Sequence, residues 1–499
     1  MIVAGCDEPG VERLIEVKRF GLFETELSNG QEYDDPYRDT ILNVTFTGPT
    51  GEQIKYWGFF DGGTEWKIRF RPEVVGKWQY TARFSDGQED VTGTFTCMPS
   101  EEAHAPVRVN RRNPIWFERG DAPLPVRALH IGDRFFAANW PDENRILFLD
   151  WAKAQGYNTL SIASHLLNRD EESRGRGWET PRLWPLNASE FRKMELILDT
   201  LNDRGFVVFP FAGFFGKHGH YPTDPSEQDL YIRYALARIG HYPNLLYNVA
   251  GPEPDMKQYI YLTVPQVAEL GGLIRKYDIY NHPISVHNRT GNDPHKDSEW
   301  SSFVTLQGPK TVDRGELNRG LLRNLNPGKP LFAQETLWSN NSVHIRRIGH
   351  DYTDADIRKN AYVIKMSGAG LCFADNNGNS SSGFSGSMDL DERNQPRHDI
   401  VRKVWDFFDT VPWVDMRPRQ DLVSSGYCLA KPGEYYLVYL ENPSPVSVNL
   451  EPGTYSVEWI NAANTQDRHS TGTIEDGNSI IPPSRAEDWI LFLTKTNPQ

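Results

Sequence analysis

Cysteine is scarce: the 499 residues hold 4, at Cys6, Cys97, Cys372 and Cys428, far apart and without C-x-x-C spacing. That excludes a disulfide scaffold and a structural zinc site of readable spacing, and leaves buried free thiols as the expectation. Long apolar runs are missing too, since no stretch of eighteen occurs, so no helix is expected to span a bilayer. Net positive charge is also lacking. The 53 Lys and Arg face 67 Asp and Glu, a formal charge of -14, which disfavours a general attraction to nucleic acid or anionic membrane. Aromatic residues, in contrast, are plentiful at 12%, with 14 Trp, and such rings serve as stacking platforms in ligand clefts.

The length is a prior for about three domains. Residues 1–105 read as a β-sandwich, with short alternating runs such as ILNVTF, EWKIRFR and KWQYTARF punctuated by Asn29-Gly30, Gly62-Gly63 and Asp86-Gly87. From 106 to 415 strand and amphipathic helix alternate. Eight candidate strands run from PVRALHI (125–131) through LLYNVAG (245–251) and PLFAQE (330–335) to GLCFADN (370–376). No Gly-rich phosphate turn follows the first of them, so the pattern predicts a (β/α)8 TIM barrel rather than an open doubly wound sheet. Residues 416–499 return to short strands broken by Pro-Gly, Asn-Pro and Pro-Pro signals, which predicts a second, smaller β-sandwich. The acidity is uneven: the first segment holds 10 basic against 19 acidic residues, the last 6 against 10, and the barrel 37 against 38. A near-neutral barrel can present a locally basic cleft.

Chemistry in such a barrel collects at the carboxyl ends of the strands. Glu253 follows the fourth strand in NVAGPEPD and Glu335 ends the seventh in PLFAQETLW. Alone, each fits a surface or helix-start carboxylate. Together, at strand ends four and seven, they face each other across the mouth, as glycoside hydrolysis requires. One must be protonated for the leaving oxygen, the other ionised for the anomeric carbon. Glu253 is expected as general acid/base, for which its pKa would have to be raised, and Glu335 as nucleophile.

These residues resemble a family. A fourth-strand Glu acid/base with a seventh-strand Glu nucleophile is the signature of clan-A retaining glycoside hydrolases. The stretches YIRYALARIGHYPNLLYNVAGPEPD and KPLFAQETLW resemble the apiosidase-like branch of that clan. The segment FTGPTGEQIKYWGFFDGGTEWKIRFRPEVVGKWQYTARF is similar to the Ig-like domain that often precedes such barrels. The tail LAKPGEYYLVYLENPSPVSVNLEPGTYSVEWINAANTQ resembles the collagen-binding-type sandwich that often follows them. The resemblance implies retaining hydrolysis of a complex plant or algal polysaccharide or oligosaccharide, with no metal or organic cofactor. One position departs from it: the Asn that precedes the acid/base in this clan, whose amide binds the sugar 2-hydroxyl, is Pro252 here. Another residue replaces the amide, or the substrate is substituted at that position, or the site is degraded. The last case leaves a non-catalytic carbohydrate-binding protein on a hydrolase scaffold as the alternative function.

Further strand-end residues are candidates for lining a sugar pocket: His130, His165, His287, Gln307, Asp375 and Asn376. Trp338 is expected either as a stacking platform or as a cap on the barrel core. The segment 167–184 mixes Arg169, Arg174, Arg176 and Arg182 with Trp178 and Trp184, which suits an acidic or sulfated sugar. The interspersed acids make a solvated, internally paired loop the competing expectation. His218-Gly219-His220 lacks partner ligands at readable spacing, so a metal-dependent hydrolase is the remote third function. Val3-Ala4-Gly5-Cys6 resembles the end of a bacterial lipoprotein signal, but only five residues precede the Cys where a signal core has about 7–15 apolar ones. The expected location is periplasmic or extracellular, lipid-anchored through Cys6 if a longer signal precedes it. The sequence leaves the oligomeric state open.

Overall fold

Strict alternation builds the N-terminal region. Leu42, Val44 and Phe46 turn inward from one strand, Trp66, Ile68 and Phe70 from another, and Trp78, Tyr80, Ala82 and Phe84 from a third. Period-two burial of this kind suits antiparallel strands with one face on a core. In the computed structural model, which describes residues 15–100, 105–162, 179–210, 214–215, 221–255, 262–288, 291–338, 352–374 and 397–496, these strands form two sheets. The five-stranded sheet runs Glu16–Lys18, Val91–Met98, Gly76–Phe84, Leu42–Thr47, Gln53–Trp57, and the three-stranded one Phe23–Ser28, Glu65–Phe70, Phe59–Gly62. Their side chains share one core, in which Phe46 stacks on Phe70 at 4.0 Å.

The central strands are buried on both faces, as parallel strands covered by helices must be. Seven pair in the order Val207–Pro210, Thr159–Ile162, Arg127–Ile131, Ala369–Ala374, Leu331–Trp338, Val304–Gln307, His287–Asn288. The fourth strand, Tyr247–Asn248, pairs with Ile284–Ser285. On its other side a parallel bridge joins Val208 to Leu245, and Leu246 N–H donates to Val208 O at 2.9 Å. The result is a TIM-like domain. Five of its helices start on side-chain caps: Asn187, Asp224, Thr263, Asp313 and Thr353 each accept from a first-turn N–H. The helix Arg314–Arg323 was not apparent from the apolar pattern.

Three short strands that the sequence did not suggest, Val107–Val109, Phe117–Arg119 and Ala122–Leu124, form a small sheet ahead of the first central strand. Val107 and Phe117 enter the same cluster as Ala128, Val207, Phe209, Phe303 and Phe332, and Phe117 meets Phe303 edge-on at 5.5 Å. Aromatic packing thus fills the interior below the strand ends that carry the polar residues.

The flanking regions dock through specific groups. Arg238, fully buried on the helix Pro225–Ile239, donates to Glu195 at 2.5 and 2.9 Å and to Asp61 of the N-terminal region at 2.7 Å. On the other side Arg358 pairs with Asp488 at 2.7 Å, and Tyr439 stacks on Tyr362 at 4.9 Å. The C-terminal region corrects one expectation. Among the described residues it is a single six-stranded sheet, in the order Arg417–Pro418, Tyr427–Lys431, Tyr435–Leu440, Trp489–Lys495, Tyr455–Asn461, Arg468–Ile474. Its second layer is reduced to isolated bridges, Val423 to Val448 and Val446 to Ile480. The covering segment contains Pro443, Pro445 and Pro452, which lack the N–H a full ladder needs.

Candidate active site

Alternation along the seventh strand would send Gln334 and Glu335 to opposite faces. The pairing registers on both sides of Leu331–Trp338 shift: against the sixth strand between Thr305 and Gln307 of that neighbour, and against Ala369–Ala374 between Ala333 and Leu337 of the seventh strand itself. A bulge of this kind re-aims side chains. As a result both residues reach inward: Gln334 Nε2 lies 2.7 Å from Ser161 Oγ and 3.1 Å from His130 Nδ1, while Glu335 faces the ends of strands five and six.

Glu253 arrives from the other side. The chain leaves the fourth strand through Ala250 and Glu253, both with positive φ, at 52° and 46°. Non-glycine residues adopt that region at a cost, and such residues concentrate at functional sites. The turn is fixed by bonds from Ala250 N–H to Phe215 O at 2.7 Å and from Glu253 N–H to His287 O at 2.9 Å. Asn248 Oδ1 accepts from His287 N–H at 2.8 Å, and a Cβ on Gly251 would lie 2.2 Å from the Asn248 amide, so only glycine fits there.

The two carboxylates meet at Gln307. Its Nε2 donates to Glu253 Oε1 and, at 3.1 Å, to Glu335 Oε2. Glu253, His287 and Glu335 offer side-chain atoms that all lie within 4.8 Å of one another. Lys310 Nζ lies 2.5 Å from Glu335 Oε1, with exposures of 4% and 1%. Burial alone would raise the Glu335 pKa, but the Lys310 ammonium leads the groups that outweigh it and hold the carboxyl well below the usual range. Burial pushes His287 down to about 3 against the pull of Glu335, so its imidazole is neutral at ordinary pH. Two carboxylates and a neutral imidazole would suit a small divalent cation in spacing, but the Lys310 ammonium already supplies positive charge to Glu335.

Of the residues singled out by sequence, Glu253, Glu335, His130, His287, Gln307 and Trp338 converge here. Trp338 is fully buried, edge-on to His130 at 5.6 Å and with Lys310 Nζ 5.5 Å from its ring centre. It backs the site from within, the second of its two expected placements. His165, Asp375, Asn376, His218, His220 and Cys6 lie outside the described residues, as do Arg169, Arg174, Arg176 and Trp178. Arg182 and Trp184 line an open cavity of about 430 Å³ with Glu179, Glu190 and Lys193. Lys193 pairs with Glu190 at 2.6 Å within the helix Ala188–Asp203, outside the Arg- and Trp-containing segment. The sequence reading missed Lys310, Gln334 and Ser161. Lys310 carried one signal: a charge three residues beyond the end of the sixth strand, on the same rim.

Residues 135–377 match the apiosidase-like catalytic domain family, and residues 16–85 match a domain family of unknown function, DUF5060. No curated protein matches the sequence. Among solved structures, a glycoside hydrolase candidate from Bacteroides vulgatus is similar along the whole length, with a TM-score of 0.74, 16% identity and coverage of 97% of this chain and 100% of its own. A second structure described as a glycoside hydrolase gives a TM-score of 0.61 at 16% identity, covering 79% and 98%. A glycoside hydrolase family 5 protein from Bacteroides vulgatus gives 0.60 at 15% identity, covering 78% and 93%. The chain therefore has a glycoside hydrolase fold, in which a TIM-like domain with an apiosidase-like catalytic segment lies between β-rich regions.

Proposed function

We propose that the protein is a retaining glycoside hydrolase of the clan-A type, acting on a complex plant or algal polysaccharide through a closed (β/α)8 barrel. The observation that carries this reading is the approach of Glu253 and Glu335 to within 4.8 Å, bridged by Gln307. Retaining enzymes hold their carboxyl groups about 5–5.5 Å apart, whereas inverting ones leave about 6.5–9.5 Å for a water. Glu335, kept ionised by its neighbours, attacks the anomeric carbon. Glu253 protonates the leaving oxygen, then takes the proton of the water that hydrolyses the glycosyl ester. Pro252 offers no amide, and Gln307, donating between the two carboxylates, stands in for the missing donor. Secretion to the periplasm or cell exterior fits a polymeric substrate.

The test is a digestion screen of plant cell-wall and algal polysaccharides, followed by proton NMR of the products. Retention of the anomeric configuration, with loss of turnover in Glu335→Ala and Glu253→Gln, is expected. Full turnover in either variant refutes the assignment. Glycan affinity without release of reducing ends would instead mark a non-catalytic binding protein.

A further inference from the structure

None of the residues lining the cavity of about 430 Å³ beside Trp184 belongs to the cluster around Glu253 and Glu335. The cavity is built by the chain that leads from the second central strand, Thr159–Ile162, into the helix Ala188–Asp203, together with the first turns of that helix. In a TIM-like domain such strand-to-helix segments lie at the carboxyl ends of the strands. Ser161 of the same strand is 2.7 Å from Gln334, the neighbour of Glu335, so cavity and carboxylates share one end of the domain. Its volume falls within the about 300–1,000 Å³ of small-molecule sites.

Trp184 is partly buried, with its ring edge-on to Tyr231 at 6.1 Å and packed against the central core. That fixes the indole, and its remaining surface lines the cavity. Among the described residues the indole N–H makes no hydrogen bond. Glu190 is fixed as well. Its carboxylate accepts from the Arg182 backbone N–H at 2.9 Å and from Lys193 Nζ at 2.6 Å, which leaves lone pairs for a further donor. Thr180 adds a hydroxyl, and Asn187 an amide whose oxygen caps the helix through Ser189 while its NH2 is left over.

The charges in the cavity cancel, since Arg182 and Lys193 stand against Glu179 and Glu190. An anionic sugar, which the arginines favour when the segment is read alone, would meet two carboxylates here. An uncharged, hydroxyl-rich ligand instead finds a fixed ring, donors and acceptors together, the make-up of a site for a small polar molecule. Resting on the hydrolase reading above, we propose that this cavity is a second binding site for the same glycan, and that it takes an uncharged sugar unit other than the one being cleaved. Two contacts on one chain make the second an intramolecular event, so a long glycan binds more tightly than a fragment that reaches one site alone.

The test is calorimetry of Glu335→Gln, which lacks the nucleophile and keeps the cavity. The neutral probes are xyloglucan, arabinoxylan, galactomannan and laminarin, and the anionic ones polygalacturonate and fucoidan. At least one neutral polymer is expected to bind, and Trp184→Ala in this background should weaken it by about ten-fold or more, the scale of losing an aromatic anchor. Trp184→Phe, which keeps a ring and drops the N–H, should fall between the two. Thermal melting verifies folding, and where Trp184→Ala does not fold, Glu179→Ala, at an exposed position of the same cavity, carries the test with a weakened affinity expected. Affinity unchanged by the folded variant, binding confined to the anionic polymers, or no binding of any of the six overturns the proposal. Hydrolysis with anomeric retention but no effect of these variants on binding leaves the hydrolase reading standing and removes the cavity from it. Binding that depends on Trp184 without any release of reducing ends supports the cavity and refutes hydrolysis.

Discussion

Gln307 and Glu335 are register partners on adjacent parallel strands, and the amide of the first donates to the carboxylate of the second at 3.1 Å. Since the same nitrogen reaches Glu253, Gln307 sets the separation of the two carboxylates. Gln307→Leu keeps the approximate volume and removes the donor. We expect kcat/KM to fall about 100-fold, the scale of losing one preorganised donor to developing charge, with little change in melting temperature. Turnover of whichever polymer the screen identifies is the measurement, and an unchanged rate would remove Gln307 from the machinery.

Lys310 leads the groups that lower the Glu335 pKa against burial. Lys310→Met should therefore let burial prevail, and the acid limb of kcat/KM should move up by at least one pH unit. The sign for stability follows the same pair. A carboxyl group whose folded pKa is depressed stabilises the fold above its unfolded value of about 4.3, and the contribution is lost as pH falls toward the folded value. Acid denaturation of Lys310→Met should accordingly depend less on Glu335 than that of the unaltered protein.

Arg238 is completely buried against Glu195 and Asp61. Arg238→Met removes the cation shared by two carboxylates, but Arg69 still faces Glu195, and Arg192 and Lys67 still face Asp61, so the loss should fall below that of a fully uncompensated buried charge, about 3–5 kcal/mol. Because Asp61 belongs to the N-terminal region, Asp61→Ala should lower the melting temperature as well, by loosening that region from the central domain. Chemical denaturation of both variants tests this.

Lys365 lies 5.0–5.2 Å from the ring centres of Trp413, Trp116 and Phe408. The rings favour its charge, but burial, aided by Arg127, outweighs them and lowers its pKa to about 7. The unfolded chain then binds more protons than the folded one between about pH 7 and 10, so this residue makes stability rise with pH across that window. Lys365→Met should raise the melting temperature most below pH 7, with the gain shrinking toward pH 10. A melting temperature equal to or below that of the unaltered protein at pH 6 would show that the rings hold the charge favourably.

Much of this was legible in the chain. Periods of two and of 3.6 residues encode burial locally, so alternation in Leu42–Thr47 and amphipathic helices such as Ala188–Asp203 are written in consecutive residues. Glu253 and Glu335 could be singled out because strand ends four and seven are topological positions. The short strands around Phe117 escaped because their burial depends on a contact with Phe303, 186 residues away in the chain.

The sequence by itself determined the order of the β-rich, TIM-like and β-rich regions and the pair of carboxylates at the strand ends, because both follow from local periodicity and counting. The tertiary structure alone decided which neighbours those carboxylates have. A register shift turns Gln334 and Glu335 to the same side, a left-handed turn aims Glu253, and Lys310 is set on Glu335. Those outcomes depend on pairing between strands far apart in sequence, and no window of consecutive residues encodes such pairing.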